Sequence, residues 1–321
     1  MNYPERIASV TELESLLSVP AEGLIEMMKR IDGDIMILGI AGKMGVTMGR
    51  QAVNAIRAAG VSKKVIGVSR FSRKEEREKL EDWGIATIAC DLLDQDAVKS
   101  LPQVKNIVFM AGRKFGTEGS EAQTWVMNIL APSYIGARFR GSRIVAFSTG
   151  CVYPLVGITS CGCTEEVTPE PVGEYSQSCL GRERIFQYCS QKYGTKVLLF
   201  RLNYAIDLRY GVLHDIARNI WEGRPVDNTV GYFNVIWQGD ANSNALRSFE
   251  LCDSPAAVLN VTGPETASVE KTALQLGALM GKEVVFKGVP GNLCYLNNSA
   301  QMCRRFGYPN VSLEQMIRWQ G

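Results

Sequence analysis

The run Ile35-Met36-Ile37-Leu38, followed at once by Gly39-Ile40-Ala41-Gly42-Lys43-Met44-Gly45, leaves few folds open to this chain. Four consecutive apolar residues suit a strand buried on both faces. Met44 to Ala59 then shows helical apolar spacing and stops at Gly60. Between strand and helix lie three glycines spaced Gly-x-x-Gly-x-x-Gly. Gly39 permits the tight turn, Gly42 lets the backbone approach a pyrophosphate, and Gly45 lets the helix pack closely on the sheet. The unpaired amides at the positive end of the helix would face that anion, so Gly39, Gly42, Lys43, Met44 and Gly45 form a candidate cofactor cradle. The competing reading is a compact strand-to-helix turn that holds no ligand.

The alternation continues along the chain. Val65–Val68, Ile85–Ala89, Asn106–Met110, Arg143–Phe147 and Lys196–Phe200 read as strands. Helical patterns lie between them, notably Arg73–Trp83, Ser120–Ala137 and Gly173–Lys192. Strands separated by helices of this length pair in parallel through crossovers. The expected fold is α/β, a doubly wound parallel sheet of Rossmann type with a smaller C-terminal substrate lobe. Residues 1–34 read as a helical extension, with Thr11 and Glu14 as a capping box. Residues 35–205 form the dinucleotide-binding core, and 206–321 complete the sheet and build the lobe. In that last part Tyr232–Trp237 and Ala257–Val261 read as strands, Asp240–Cys252 and Ser268–Met280 as helices.

Composition excludes several partners. A formal net charge of +2 is too mild for a nucleic-acid surface. No apolar run is long enough for a membrane span, and Met1–Arg6 lacks the pattern of a signal peptide. Nine cysteines without such a signal favour free thiols and a cytoplasmic setting. Cys161-Gly162-Cys163 lacks Cys-x-x-Cys spacing, so no metal is expected, although Cys151, Cys161, Cys163 and Cys179 fall near one another on the candidate substrate face.

Cofactor preference is readable after the second strand. An NAD site ordinarily carries a carboxylate there for the adenosine ribose. This chain has Val68-Ser69-Arg70-Phe71-Ser72-Arg73. Ser69 and Arg70 would hold a 2′-phosphate, so NADP is favoured over NAD. A solvated basic patch is the alternative. Asp91 and Leu92, after the third strand, would meet the adenine.

From Ile35 to about Gly263 the chain resembles the extended short-chain dehydrogenase/reductase family, in its NAD(P)-dependent epimerase/dehydratase group. Gly39, Gly42 and Gly45 match the family's glycine motif, Asp91-Leu92 its adenine-side pair, and Ala111-Gly112 its small turn after the fourth strand. Asn128 falls at a helix asparagine of the family, and Ser148-Thr149-Gly150-Cys151-Val152-Tyr153-Pro154 resembles its Ser-Ser/Thr-x-x-Val-Tyr-Gly segment. Tyr175 matches the catalytic tyrosine, Glu183 a glutamate eight residues on, and Arg201-Leu202-Asn203 a strand-end region. Cys179 stands where the family's Tyr-x-x-x-Lys segment has lysine. The resemblance implies a small polyhydroxylated or sugar-derived substrate, oxidoreductase or epimerase chemistry, and often a homodimer.

In that scheme Thr149 orients the substrate oxygen and Tyr175 moves its proton. A free tyrosine has a pKa of about 10 and needs a neighbouring cation to ionise near neutrality. Cys179, placed at the cofactor by the motif, supplies none. Lys114, in the loop after the fourth strand, is the expected substitute, and Arg182, seven residues past Tyr175, is the other. Cys151, Asn203 and His214 are candidate substrate contacts. A packed helix-end tyrosine, a strand-end threonine and a helix-capping histidine remain the plainer readings. The functional alternative is a noncatalytic dinucleotide-binding or regulatory protein that kept the pocket without the hydride chemistry.

Overall fold

The apolar runs do become strands, and their order follows from the helices that separate them. The computed structural model describes residues 3–114 and 119–321. Among them, seven strands form one sheet: β1 (Ile35–Leu38), β2 (Val65–Ser69), β3 (Ala86–Ala89), β4 (Asn106–Phe109), β5 (Arg143–Thr149), β6 (Lys196–Leu202) and β7 (Ala257–Val261). The order is β7-β6-β5-β4-β1-β2-β3, and every neighbouring pair is parallel. Chain order reverses between β1 and β4, and a doubly wound sheet binds its ligand in the crevice at such a point.

Helices cover both faces, as alternate side chains along the strands require. On one face α2 (Glu22–Arg30), α3 (Gly45–Ala59) and α9 (Gln238–Arg247) bury Ile35, Ile37, Val145 and Phe200. On the other, α5 (Gln95–Ser100), α6 (Glu121–Arg138) and α7 (Gly173–Tyr193) bury Met36, Leu38, Phe109 and Leu199. A smaller core lies in the lobe, where α8 (Val212–Trp221), α10 (Val269–Met280) and the C-terminal helix Leu313–Gln320 pack around Ile206, Trp237 and Trp319.

The N-terminal extension is helical, but its cap differs from expectation. α1 (Val10–Leu17) begins at Ser9, whose hydroxyl accepts from the Glu12 amide at 3.1 Å. Ser9 with Glu12 repeats the box spacing two positions earlier, leaving Thr11 inside the helix. Glu14 instead takes Lys79 at 2.6 Å and Arg209 at 3.3 Å. Leu13 and Leu17 enter the lobe core, while Leu24, Met27 and Met28 enter the sheet core. Gln51 on α3 donates to Val19 O at 2.9 Å and to Gly239 O at 3.0 Å, which ties the extension to both α3 and α9.

Tyr232–Trp237 is not one strand. Tyr232–Phe233 pairs antiparallel with Ala267–Ser268, and Ile236–Trp237 pairs parallel with Ala205–Ile206. Asn234 breaks the run because its amide is drawn to Asn297 O at 2.7 Å. Among the described residues, no helix is long and apolar enough to cross a membrane.

Candidate active site

The site begins with the turn after β1. Gly39 has φ +93, and a Cβ there would stand 2.8 Å from Ala111 N and 2.9 Å from Ala111 Cα. The turns after β1 and β4 therefore touch, and only glycine permits it. A Cβ on Gly45 would strike Ile40, which lets the start of α3 close against the sheet. Gly39→Ala is expected to lose about 2–4 kcal/mol from positive-φ strain and a backbone clash together, measurable by urea denaturation. A loss under about 0.5 kcal/mol would contradict the close approach.

Two connected cavities open along this edge of the sheet, of about 340 and 330 Å³. Gly39, Gly42, Met110 and Gly112 line both, so the pair forms one elongated cleft over the glycine turn. Its two stretches meet at the glycine turn that opens α3, an arrangement suited to a dinucleotide with the pyrophosphate at the helix amides.

The adenosine end is walled by Ser69, Arg70, Glu76, Asp91, Leu92 and Ala111. Asp91 Oδ1 accepts from the Leu93 amide at 3.0 Å, which fixes the carboxylate beside the cavity. Arg70 is exposed, and Arg73 is ion-paired to Glu76. A carboxylate thus does reach this wall, from α4 (Lys74–Asp82) and not from the end of β2. Glu76 disfavours a 2′-phosphate by like-charge repulsion and partly neutralises the basic segment that suggested one.

The other end is walled by Lys43, Lys114, Thr149, Tyr175, Arg182 and Tyr204, among others. Among the described residues, no carboxylate lines it. Lys43 Nζ lies 4.5 Å from the Tyr210 ring centroid, so this lysine crosses the cavity mouth. Thr149 ends β5, and its hydroxyl accepts from the Cys151 amide at 3.2 Å. That bond caps the turn and leaves the threonine proton to point elsewhere.

Tyr175 lies in the first turn of α7. Its phenol is pushed well above the ordinary tyrosine range, first by burial and then by Cys179, while the Arg182 guanidinium pulls the other way. Cys179 is buried and does not line the cleft. It packs with Val152, Tyr153 and Cys163, beside Tyr175, and burial pushes its thiol up. The expected contact between Cys179 and the cofactor is therefore replaced by a packing role behind the wall.

Arg182 has a different place. It is 6% exposed, donates to Phe147 O at 2.8 Å and binds Asn128 Oδ1. Its Cζ lies 3.2 Å from where a Gly112 Cβ would be, so the guanidinium floors the cavity at that glycine. Asn128 is the hub of this floor: it also accepts from the Arg113 amide at 3.2 Å and donates to Ser178 Oγ at 2.8 Å. Arg182 was identifiable only as sharing a helix face with Tyr175; its inward reach depends on the packing of α6 against α7.

Beneath Thr149 runs a buried polar ladder. Ser148 donates to Glu183 Oε1 at 2.5 Å, and Arg201 binds the same carboxylate through two bonds of 2.9 and 2.7 Å. Arg201 also donates to Tyr153 Oη at 2.6 Å, which donates to Asn260 Oδ1 at 2.9 Å. The ladder fixes the end of β5, and hence Thr149, against β6 and β7.

None of the substrate-contact candidates lines the cleft. Cys151 is half-buried in the turn after β5 and gives its backbone amide to the Thr149 hydroxyl. Asn203 is buried, with its amide donated to Asn234 Oδ1 at 2.7 Å and Tyr295 O at 3.2 Å. His214 places Nδ1 3.1 Å from Leu208 O. Tyr204, which sequence reasoning passed over, does line the cleft; its φ of +45 holds a non-glycine residue in a strained conformation at the cavity edge. Among the described residues, no group of three or more His, Cys, Asp or Glu is placed to hold a metal ion.

The sequence profile of the NAD dependent epimerase/dehydratase family matches residues 35–225. No curated protein sequence matches the chain. Among solved structures, UDP-glucose 4-epimerase from Thermotoga maritima with UDP-glucose is similar, at 18% identity and a TM-score of 0.73, covering 89% of this chain and 97% of that one. UDP-glucuronic acid 4-epimerase from Bacillus cereus with UDP-glucuronic acid and NAD gives 18% and 0.72, over 89% and 97%. dTDP-glucose 4,6-dehydratase from Bacillus anthracis with NAD gives 18% and 0.71, over 89% and 94%. At such identities the likeness shows the fold. The expected preference for NADP is overturned: the matched family is NAD dependent, and related structures, the epimerase of Thermus thermophilus included, hold NAD. In this chain the adenosine wall carries the Glu76 carboxylate, ion-paired to Arg73, and a carboxylate there opposes a 2′-phosphate.

Proposed function

We propose that this chain, which belongs to the NAD dependent epimerase/dehydratase family, is an NAD-dependent oxidoreductase or epimerase acting on a sugar-nucleotide substrate. The observation that carries the reading is the single cleft that runs from the glycine turn to Thr149 and Tyr175. Gly39, Gly42 and the first amides of α3 would hold the pyrophosphate, Asp91 the adenine and Glu76 the adenosine ribose. When bound there, NAD supplies a hydride acceptor and, on the return step, a hydride donor.

The protein's part is to orient an alcohol and move its proton. Thr149 would donate to the substrate oxygen, holding the carbinol in line. Tyr175, as its phenolate, would take the hydroxyl proton as the carbinol hydrogen leaves as hydride, and return it when the carbonyl is reduced. The family motif puts Cys179 at its lysine position, so the basicity of Tyr175 must be set by another cation near the cavity. Lys114 is one such group on the wall.

Exposed Trp125 and Leu130 on α6 and Tyr188 on α7 support a homodimer through these helices. Nine unpaired cysteines support a cytoplasmic setting.

The test is to incubate the purified protein with NAD and a panel of UDP- and dTDP-sugars, following both absorbance and products by NMR. A changed sugar, with NAD binding more tightly than NADP, is the expected result. NAD binding without any product across the panel would favour the noncatalytic alternative, and absence of NAD binding would defeat both.

A further inference from the structure

We infer that Arg182 supplies the positive charge that favours the ionised form of Tyr175, the form able to take a proton, acting past the small Cys179 from two turns along the same helix. The inference deepens the proposed reaction and rests on that reading for its chemical purpose, but its geometry stands alone.

Residues 175, 179 and 182 are spaced i, i+4 and i+7, which puts them in one column on the face of α7. Long side chains on a helix lean toward its N terminus, so Arg182 reaches back along that column toward Tyr175. Both residues line the same end of the cleft, whereas Cys179 between them does not. The ionisable groups bearing on Tyr175 are Cys179 and Arg182 from its own helix and Cys151 from the turn after β5. Among these Arg182 is the cation.

The surroundings of Arg182 are unusual for a purely structural arginine. It is almost fully buried, yet among the described residues it forms no ion pair with a carboxylate, the neighbouring Glu183 being paired with Arg201. Glu183, next in sequence, is already taken by Arg201 and Ser148. Among the described residues, Arg182 has a carbonyl oxygen and an amide oxygen as acceptors and the Phe109 ring 5.7 Å from its Cζ, and its Nε is buried without a hydrogen-bond partner. A buried cation left this way is costly unless something uses its charge. An ionising phenol at the same cavity would use it. Lys114, by contrast, is exposed on the loop after β4.

The test places trifluorotyrosine at position 175, whose lowered pKa brings ionisation into an accessible range, and follows it by fluorine NMR as pH is raised. The parent is compared with Arg182→Met, Arg182→Gln and Arg182→Lys. Gln keeps a donor and serves if the Met variant fails to fold. The expected result is an upward midpoint in the Met and Gln variants, leaving about tenfold less ionised phenol at a fixed pH, with most of the shift reversed in Arg182→Lys. An unchanged midpoint in the folded Met or Gln variant overturns the inference, leaving Arg182 as a tie between α6, α7 and β5. The titration uses neither cofactor nor substrate. Failure of the sugar panel therefore leaves its result standing, and an unchanged midpoint sinks this inference alone.

Discussion

Tyr175→Phe will reduce turnover of the sugar substrate by about 10²–10⁴-fold, the usual contribution of a positioned acid–base group. NAD affinity and stability should hardly move. The phenylalanine keeps the ring that packs beside Val152 and Cys179, and the lost hydroxyl faces a thiol, a weak hydrogen-bonding partner. The comparison is made by single-turnover product analysis alongside an NAD binding titration. Retention of more than about a tenth of the activity would move the proton transfer to another group. A parallel loss of NAD binding would show that the ring had shifted, and would remove the variant as a measure of chemistry.

Arg201→Met should destabilise the protein by about 3–5 kcal/mol, because it strands a buried carboxylate. Glu183 has zero side-chain exposure, and without Arg201 it keeps only the Ser148 hydroxyl. Tyr153 loses a donor in the same step. Removing both charges in Arg201→Met with Glu183→Leu should recover much of the loss, since a well-packed apolar pair carries no desolvation cost. Denaturant unfolding of the two single variants and the double variant makes the cycle. If the double variant is as unstable as the sum of the singles, the two residues do not act as a pair. The same ladder sets the end of β5, so Arg201→Met should also blur the position of Thr149.

The parts of this protein that were readable from residues alone are those governed by local rules. Ile35–Leu38 suited a doubly buried strand, and Gly39 with Gly45 suited a close strand-to-helix turn after it; both formed. Gly60 ended α3 with the left-handed conformation expected of it. What escaped the sequence depended on where long side chains end. Glu76 sits on α4, well past the strand end where a ribose-binding carboxylate is sought, and it enters the adenosine wall once α4 packs beside β3 and α3. Arg182 shows the same limit from the other side. Its spacing from Tyr175 was plain, but the acceptors that draw it inward come from α6 and β5, more than thirty residues away. Asn203 carried a family-like position, yet its amide was claimed by Asn234 and Tyr295, a demand visible only once the C-terminal segment is in place.

The helical extension has a consequence for where this molecule can be cut. Homology to the family starts at residue 35, but folding starts earlier, at the Ser9 cap. A version trimmed to the homology boundary would uncover Leu24, Met27 and Met28 over the sheet and open the lobe core at Leu13 and Leu17. It would also leave Gln51, on the helix after the glycine turn, with Gly239 O alone of its three backbone acceptors, Leu17 O and Val19 O being lost. The segment before residue 35 is thus a splint across the sheet core and the lobe core, and it lies outside the span that the family profile matches. Their removal should loosen the cleft from behind, without touching a single residue that lines it.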